Sequence, residues 1–376
     1  MLAKTPPMGW NSWNTFGKDI SDSLIRETAD AFIDQGLKDA GYEYVVIDDC
    51  WSKMQREDGR LVADPVKFPG GMKALADYVH GKGLKFGMYS CAGLKTCASY
   101  PSSFEHEFVD AQTFADWGVD YLKYDFCNTP DKIDGSILYR RMSMALRNCG
   151  RDILFSACSW GSLEEEKWIR GSGAHIWRST GDINDSWASI KDIVRRQDGK
   201  ECYSGPGCFN DPDMLVVGMY GKGNVGVSGC TDEEYRTHFS LWCMMNAPLM
   251  IGCDVRNMLA AAKEILTNKE VIALNQDEEG RQAYIASNNH SYNLFYAYVK
   301  PLANGEYAIC LVNFWDDEAG LVELYWWDIG LPGNAGYGFQ LRDLWSHEDL
   351  GVFPEGIQVR IPSHGCKVYR AKLVKL

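Results

Sequence analysis

The chain has 376 residues, longer than one typical core, so a large domain followed by a smaller one is expected. Its net charge of −13 excludes nucleic acid and anionic membrane surfaces as partners, because phosphate contacts need clustered Lys and Arg, and it suits a neutral substrate. No stretch approaches the ~20 apolar residues that a membrane span requires.

From the N-terminus, Pro7–Trp13 (PMGWNSW) reads as a first short strand. After it one grammar repeats: a short apolar run with β character, ending in polar or aromatic residues, usually followed by an amphipathic helical segment. The runs are 44–49 (YVVIDD), 84–90 (LKFGMYS), 121–127 (YLKYDFC), 153–160 (ILFSACSW), 175–183 (HIWRSTGDI), 204–214 (SGPGCFNDPDM) and 248–255 (PLMIGCDV). Helical spacing of three and four marks 25–40, 72–82, 108–117 and 137–149. Eight alternating units in ~250 residues predict an α/β fold, a (β/α)8 TIM barrel over residues 1–280. From 281 to 376 the pattern changes to short alternating strands broken by Gly, Pro, Asn and Asp. They fall at 292–300, 306–315, 321–329, 337–345, 356–361 and 365–374, and predict a C-terminal antiparallel β-sandwich domain.

A barrel of this kind carries its chemistry at the C-terminal ends of its strands. Those ends hold Asp48, Asp49, Asp125, Arg178 and Asp182, with Trp13, Trp51, Tyr89 and Trp160 among them. Acids at several strand ends, mixed with aromatics, point to a single polar pocket. Two adjacent acids reach one pocket only at a strand terminus, where the alternation of faces ends. His175 and His238 are expected to be satisfied structural residues. No Cys or His cluster has zinc spacing, so neither a metal nor a cofactor is expected. The 13 Cys are an odd number, and several sit in apolar runs, which reads as buried thiols in a reducing compartment. With no signal-peptide pattern at 1–7, the expectation is a cytoplasmic protein, and a homo-oligomer is left open.

The motifs MGWNSW (8–13), VIDDCW (46–51), KTC (95–97), YLKYDFC (121–127), WRSTGDI (177–183), NDPDML (210–215) and NQD (275–277) lie in order along the chain. Together they resemble glycoside hydrolase family 27, the α-galactosidases and α-N-acetylgalactosaminidases. The resemblance implies a retaining exo-glycosidase that releases terminal α-galactose from an oligosaccharide, with Asp125 as nucleophile and Asp182 as acid/base. Such an enzyme needs one ionised and one protonated carboxyl. Lys123 and Arg178 would keep Asp125 ionised, while Asp182 would need its proton affinity raised by burial or by neighbouring carboxylates; Asp185 lies close enough to compete for that role. Asp48 and Asp49 would bind the sugar's 4- and 6-hydroxyls, and Trp13 would stack on the ring. Tyr89 and Lys123 would line its polar edge, and Arg178 would hold the 2-hydroxyl region. Trp51 and Trp160 are candidate walls. The acids of NDPDML are expected to order the barrel rim rather than to act in catalysis.

The chain departs from the family pattern in places. Cys97 and Cys127 match a half-cystine pair of secreted relatives, but the partner position of Cys50 is Lys18, so one bridge is missing. Ser159 stands where many α-galactosidases place a Glu near the 2-hydroxyl. The N-acetylgalactosaminidases carry Ser there, so that activity is the alternative, while Gly161 speaks for galactose. The short pair Asp48–Asp49 argues against arabinopyranosides, because it leaves room for a hydroxymethyl group. A non-catalytic carbohydrate-binding protein would be expected to lack one of the two catalytic acids, and both are present.

Overall fold

Alternation of side chains along the strands decides what each residue can do. The computed structural model describes residues 2–287 and 294–376. Eight parallel strands come first: β1 (Met8–Asn11), β2 (Tyr44–Val46), β3 (Lys85–Cys91), β4 (Tyr121–Asp125), β5 (Leu154–Cys158), β6 (Ile176–Arg178), β7 (Phe209–Asp211) and β8 (Leu249–Ile251). They are ordered 7-6-5-4-3-2-1-8. The ring closes just past β7, where Leu215 bridges Ile251 in parallel: the Leu215 amide donates to Met250 (2.8 Å) and the Gly252 amide to Leu215 (2.9 Å). Closure leaves no sheet edge, and the flanking helices bury the outer face, so these strands read as continuous apolar runs.

Each strand sorts its residues by the two-residue period. Tyr44, Val46, Tyr121, Leu154, Ile176, Phe209 and Met250 form one cluster, the barrel interior, while Val45, Phe86, Met88, Leu122, Phe155, Ala157 and Trp177 pack in the outer core with the helices. Continuing the period brings Asp48, Tyr89, Lys123, Asp125, Cys158, Arg178 and Asp211 to the inner face at the C-terminal rim. Gly87 on that face has no room for a side chain, since a Cβ would lie 2.6 Å from Val46 Cγ2.

The helices fall where spacing predicts them: Asp22–Asp34 with Leu37–Ala40, Gly71–Gly81, Glu107–Trp117 and Gly135–Asn148. Caps fix their starts. Ser21 accepts from the Leu24 amide (3.2 Å), and Thr231 with Glu234 forms a reciprocal capping box for Asp232–Met244. Among the described residues, no helix is long and apolar enough to cross a membrane.

The C-terminal region is the expected sandwich of antiparallel strands. Its strands are β9 (Tyr284–Ser287), β10 (Phe295–Pro301), β11 (Tyr307–Asn313), β12 (Gly320–Tyr325), β13 (Tyr337–Asp343), β14 (Glu348–Phe353), β15 (Gly356–Ile361) and β16 (Cys366–Lys375). Six pair in the order 14-13-16-11-10-9, and β12 pairs with β15. Val299, Ile309 and Leu311 of the larger sheet meet Val322, Leu324 and Ile357 of the smaller one. β9 and β14 are not evident in the sequence, because β14 is exposed along most of its length and lacks an apolar face. Residues 292–293 of the run expected at 292–300 lie outside the described residues. The sandwich shares the barrel's outer core through Tyr298, Cys310, Phe314 and Val368, and polar contacts add to this: Arg342 pairs with Glu270 (2.7 Å), and buried Lys300 donates to Asn246 and to the Leu274 carbonyl (2.6 Å).

Candidate active site

A cavity of about 170 Å³ opens at the C-terminal rim of the barrel, lined by Trp13, Asp48, Asp49, Tyr89, Lys123, Asp125, Trp160, Arg178, Asp182, Asp213 and the Cys97–Cys127 pair among others. That volume lies below the ~300–1,000 Å³ of sites for drug-sized ligands, and it suits one sugar ring. Larger clefts exist elsewhere, but none gathers this set of acids, bases and aromatics. Of the residues expected in the site from sequence, Ser159 and Trp51 fail to line the cavity.

Asp125 ends β4 and is buried. Its Oδ2 accepts from the Tyr89 hydroxyl (2.9 Å), its Oδ1 is sealed from solvent, and the Cys158 thiol also hydrogen-bonds the carboxyl. Burial pushes this carboxyl above its ordinary range. The Lys123 ammonium opposes the rise, and Asp48 adds to it. Lys123 donates to Asp48 Oδ2 (2.8 Å), as does Asn11 (2.7 Å). The amide of Asp49 closes on Asp48 Oδ1 (2.9 Å), and Asp49 in turn accepts from the amides of Cys50 (2.7 Å) and Ala98 (2.9 Å). The two adjacent acids are therefore held rigidly by backbone on a turn just past β2. Burial raises Asp49 as well.

Cys97 and Cys127 form a disulfide, which joins the loops after β3 and β4 beside Asp125. Gly93 permits this approach, since a Cβ there would lie 2.0 Å from the Cys127 carbonyl oxygen. The eleven remaining cysteines are free thiols, all buried except Cys202.

Asp182 differs from its expected state. Its side chain is 68% exposed at the cavity mouth, and Nη2 of Arg178 donates to its Oδ1 at 2.7 Å. The Arg178 guanidinium outweighs the partial burial and holds this carboxyl below the ordinary range, whereas a raised proton affinity was expected. Arg178 accordingly faces Asp182 rather than Asp125. Asp185 does not compete for the role: it is buried outside the cavity, accepting from Tyr235 (2.8 Å) and the Gly221 amide (2.6 Å).

Ser159 is a second correction. It is fully buried and absent from the cavity wall, because its hydroxyl donates to the carboxylate of Glu165. Glu165 also accepts from the Gly161 amide (3.1 Å), so it closes the turn that projects Trp160 into the cavity. Trp160 adopts φ +58° and Gly161 φ +78°, left-handed values that cost a side-chain-bearing residue about 1–3 kcal/mol. The sequence offers no signal for Glu165, which is the middle member of a Glu triplet at 164–166. Trp51 likewise is no wall: its indole donates to the Tyr89 carbonyl (2.9 Å) and packs on Phe114 and Trp117.

Gly161→Ala is expected to lower stability by about 1–3 kcal/mol. A Cβ there would lie 2.2 Å from the Ser179 carbonyl oxygen. It should also raise KM more than it lowers kcat, because the substitution moves Trp160 and not the acids. Thermal denaturation alongside steady-state kinetics checks this, and a loss confined to kcat would contradict it.

Neither histidine lines the cavity, and both are structural, although His238 Nδ1 is buried with no hydrogen-bond partner among the described residues and so is not fully satisfied as expected. His238 accepts from the Val216 amide (3.1 Å), and burial drives its ring down to about 3. His175 accepts from the Phe155 amide (2.9 Å) and falls to about 4 for the same reason.

Comparison with known proteins agrees with this geometry. Residues 5–277 match the family model for alpha galactosidase A, and residues 295–371 match that for the alpha galactosidase C-terminal beta sandwich domain. The chain is 45% identical to an alpha-galactosidase of Cyamopsis tetragonoloba, over 98% of this chain and 86% of that one. It is 43% identical to alpha-galactosidase A of Cellvibrio japonicus, over 98% and 92%. Among solved structures, alpha-galactosidase I of Mortierella vinacea superposes with a TM-score of 0.90 at 36% identity, covering 98% of this chain and 97% of that one. The Saccharomyces cerevisiae enzyme, solved with raffinose, gives 0.89 at 32%, covering 99% and 98%. The chain belongs to the alpha-galactosidase family of glycoside hydrolases, family 27.

Proposed function

We propose that this cavity removes terminal α-linked galactose from oligosaccharides by double displacement, with Asp125 as nucleophile and Asp182 as acid/base. Hydrolysis of α-galactosides is supported by curated relatives 43–45% identical over 98% of the chain. The observation that carries the assignment of roles is the contrast between the two acids on the cavity wall: Asp125 is buried at the end of β4 and fixed by the Tyr89 hydroxyl, whereas Asp182 stands 68% exposed on the loop after β6.

In the first step the Asp125 carboxylate bonds to C1 while the C1–O bond to the leaving group breaks. The proton on Asp182 passes to the departing oxygen. In the second step water attacks C1, Asp182 takes the water's proton and the bond to Asp125 breaks, so the configuration is retained. Asp182 is held low by Arg178 while water reaches it. A sugar filling the cavity excludes that water and raises the cost of its charge, which supplies the proton affinity that the acid step needs. Asp48 and Asp49, fixed by backbone amides, accept from hydroxyls on one side of the ring, and Trp13 and Trp160 offer apolar faces.

The test is hydrolysis of an aryl α-D-galactopyranoside and an aryl α-N-acetylgalactosaminide side by side, following the first-formed anomer by NMR. Preference for the galactoside with α-galactose released first is expected. The β-anomer first would exclude double displacement. Preference for the N-acetyl sugar would assign the chain to the family's other activity.

A further inference from the structure

Arg178 serves two carboxylates with one nitrogen. Its Nη2 lies 2.7 Å from Asp182 Oδ1 and 2.8 Å from Asp213 Oδ2. Asp182 stands at the mouth, largely exposed, whereas Asp213 is buried on the cavity wall beneath it. Asp213 is held firmly. Its Oδ2 accepts from the Ile183 amide (2.7 Å), on the residue that follows Asp182, and its own amide donates to Asp211 (2.9 Å). It does so at φ +97°, a conformation an L-residue adopts only when the surroundings impose it. Ordering the rim explains the amide bonds. It does not explain why a strained, buried acid is aimed at the arginine that pairs with the acid/base.

We propose that Asp213 is a positioning residue for the acid/base: by sharing Nη2 of Arg178 it divides the guanidinium's charge between two carboxyls, and so sets the pH at which Asp182 gives up its proton. The inference rests on the reading of Asp182 as acid/base. A guanidinium paired with one carboxylate would clamp Asp182 as a permanent anion, useless as a proton donor. A second carboxylate draws off part of that field and adds like-charge repulsion, so the pair titrates as a unit. Burial places Asp213 above the ordinary carboxyl range, with Asp182 among the charges that raise it, and Arg178 holds Asp182 below that range. The other groups facing this pair are Lys123 from β4, which favours the charged form of both acids, and Asp211 at the end of β7, pushed up by burial to about 6. Nη1 of Arg178 donates to the Cys158 thiol at the end of β5 (3.7 Å).

The experiment is the pH dependence of kcat for Asp213→Asn, because kcat reports the substrate complex, in which Asp182 holds its proton. Asparagine keeps the acceptor for the Ile183 amide and tolerates positive φ better than most residues, so folding is expected to survive. With Asp213 neutral, Arg178 acts on Asp182 alone, and the alkaline limb is expected to move to lower pH by about one unit or more. The loss should be larger for galactosides with poor leaving groups, which need the proton, than for activated aryl galactosides. An alkaline limb that stays in place in a folded Asp213→Asn protein overturns the inference. Asp182→Asn is the companion: strong dependence on leaving-group quality supports its role as acid/base, and no such dependence overturns that role and this inference together. Carbon-detected NMR titration of the wild-type carboxyls needs no variant. Coupled two-step curves for Asp182 and Asp213 are expected, and two independent single-step curves would overturn the proposal.

Discussion

Asp125→Asn is expected to reduce kcat by about 10⁴- to 10⁶-fold, the scale on which an enzyme loses its nucleophile, and at the same time to make the protein more stable at neutral pH. The two effects share one cause. Burial raises the Asp125 carboxyl above its ordinary range in the folded chain. The folded state therefore binds that proton more tightly than the unfolded state does. Stability falls as pH rises through the folded value, and the full cost is present at neutral pH. An amide removes the charge but keeps the shape and the acceptor for Tyr89, whose hydroxyl lies 2.9 Å away. Lys123 is not orphaned, because its partner at 2.8 Å is Asp48. Calorimetry should show Tm higher by a few degrees at neutral pH, with the gain vanishing under acid conditions where the wild-type carboxyl is protonated in both states. A variant that is inactive but less stable at neutral pH would mean that Asp125 is an ordinary structural acid, and the site would have to be placed elsewhere.

The barrel is legible in the sequence because each strand carries its own evidence: buried on both faces, it must be apolar where it is not catalytic. At Tyr121–Asp125 the alternation alone separates Tyr121, Lys123 and Asp125 from Leu122 and Tyr124, and the fold sends the first set inward. What the sequence hides is set by contacts between elements. Glu165 has five residues of loop between it and Ser159, and only the folding of that loop brings the two together. The exposure of Asp182 depends on where β6 stops. The expected strand ran to Ile183, whereas pairing ends at Arg178 and leaves Asp182 on a loop beyond it. Asp213 was visible within NDPDML, but the motif does not reveal that its side chain meets an arginine from the neighbouring strand. Strand β14 fails for a different reason, since a solvated edge strand has no apolar face to announce it.

Lys123→Met is expected to move the acid limb of kcat/KM to higher pH and to lower activity at neutral pH by about 10²- to 10³-fold, in line with the roughly 3–5 kcal/mol cost of breaking a buried ion pair. The sign follows from the charges around the nucleophile. Asp125 must be ionised to attack, so activity is lost as pH falls through its folded value. Lys123 is the chief group that pulls this value down, against burial and Asp48, which push it up. Without the ammonium only the hydrogen bonds from Cys158 and Tyr89 oppose the two upward pushes, and the nucleophile is protonated over more of the working range. The lysine is itself an economical choice: burial disfavours its charge, but Asp48 and Asp125 more than offset this and hold it protonated. Asp48 and Asp125 around the Lys123 ammonium leave this trio with one net negative charge, and that charge is consumed when Asp125 bonds to the sugar. A control distinguishes this from the loss of any ion pair. Lys73 and Asp77 make a contact of 2.5 Å with both side chains 58% exposed, and Lys73→Met should change stability by about 0–1 kcal/mol and leave the pH profile alone. If Lys123→Met lowers activity equally at every pH, the lysine serves only to bind substrate, and the ionisation of Asp125 must be secured by another group.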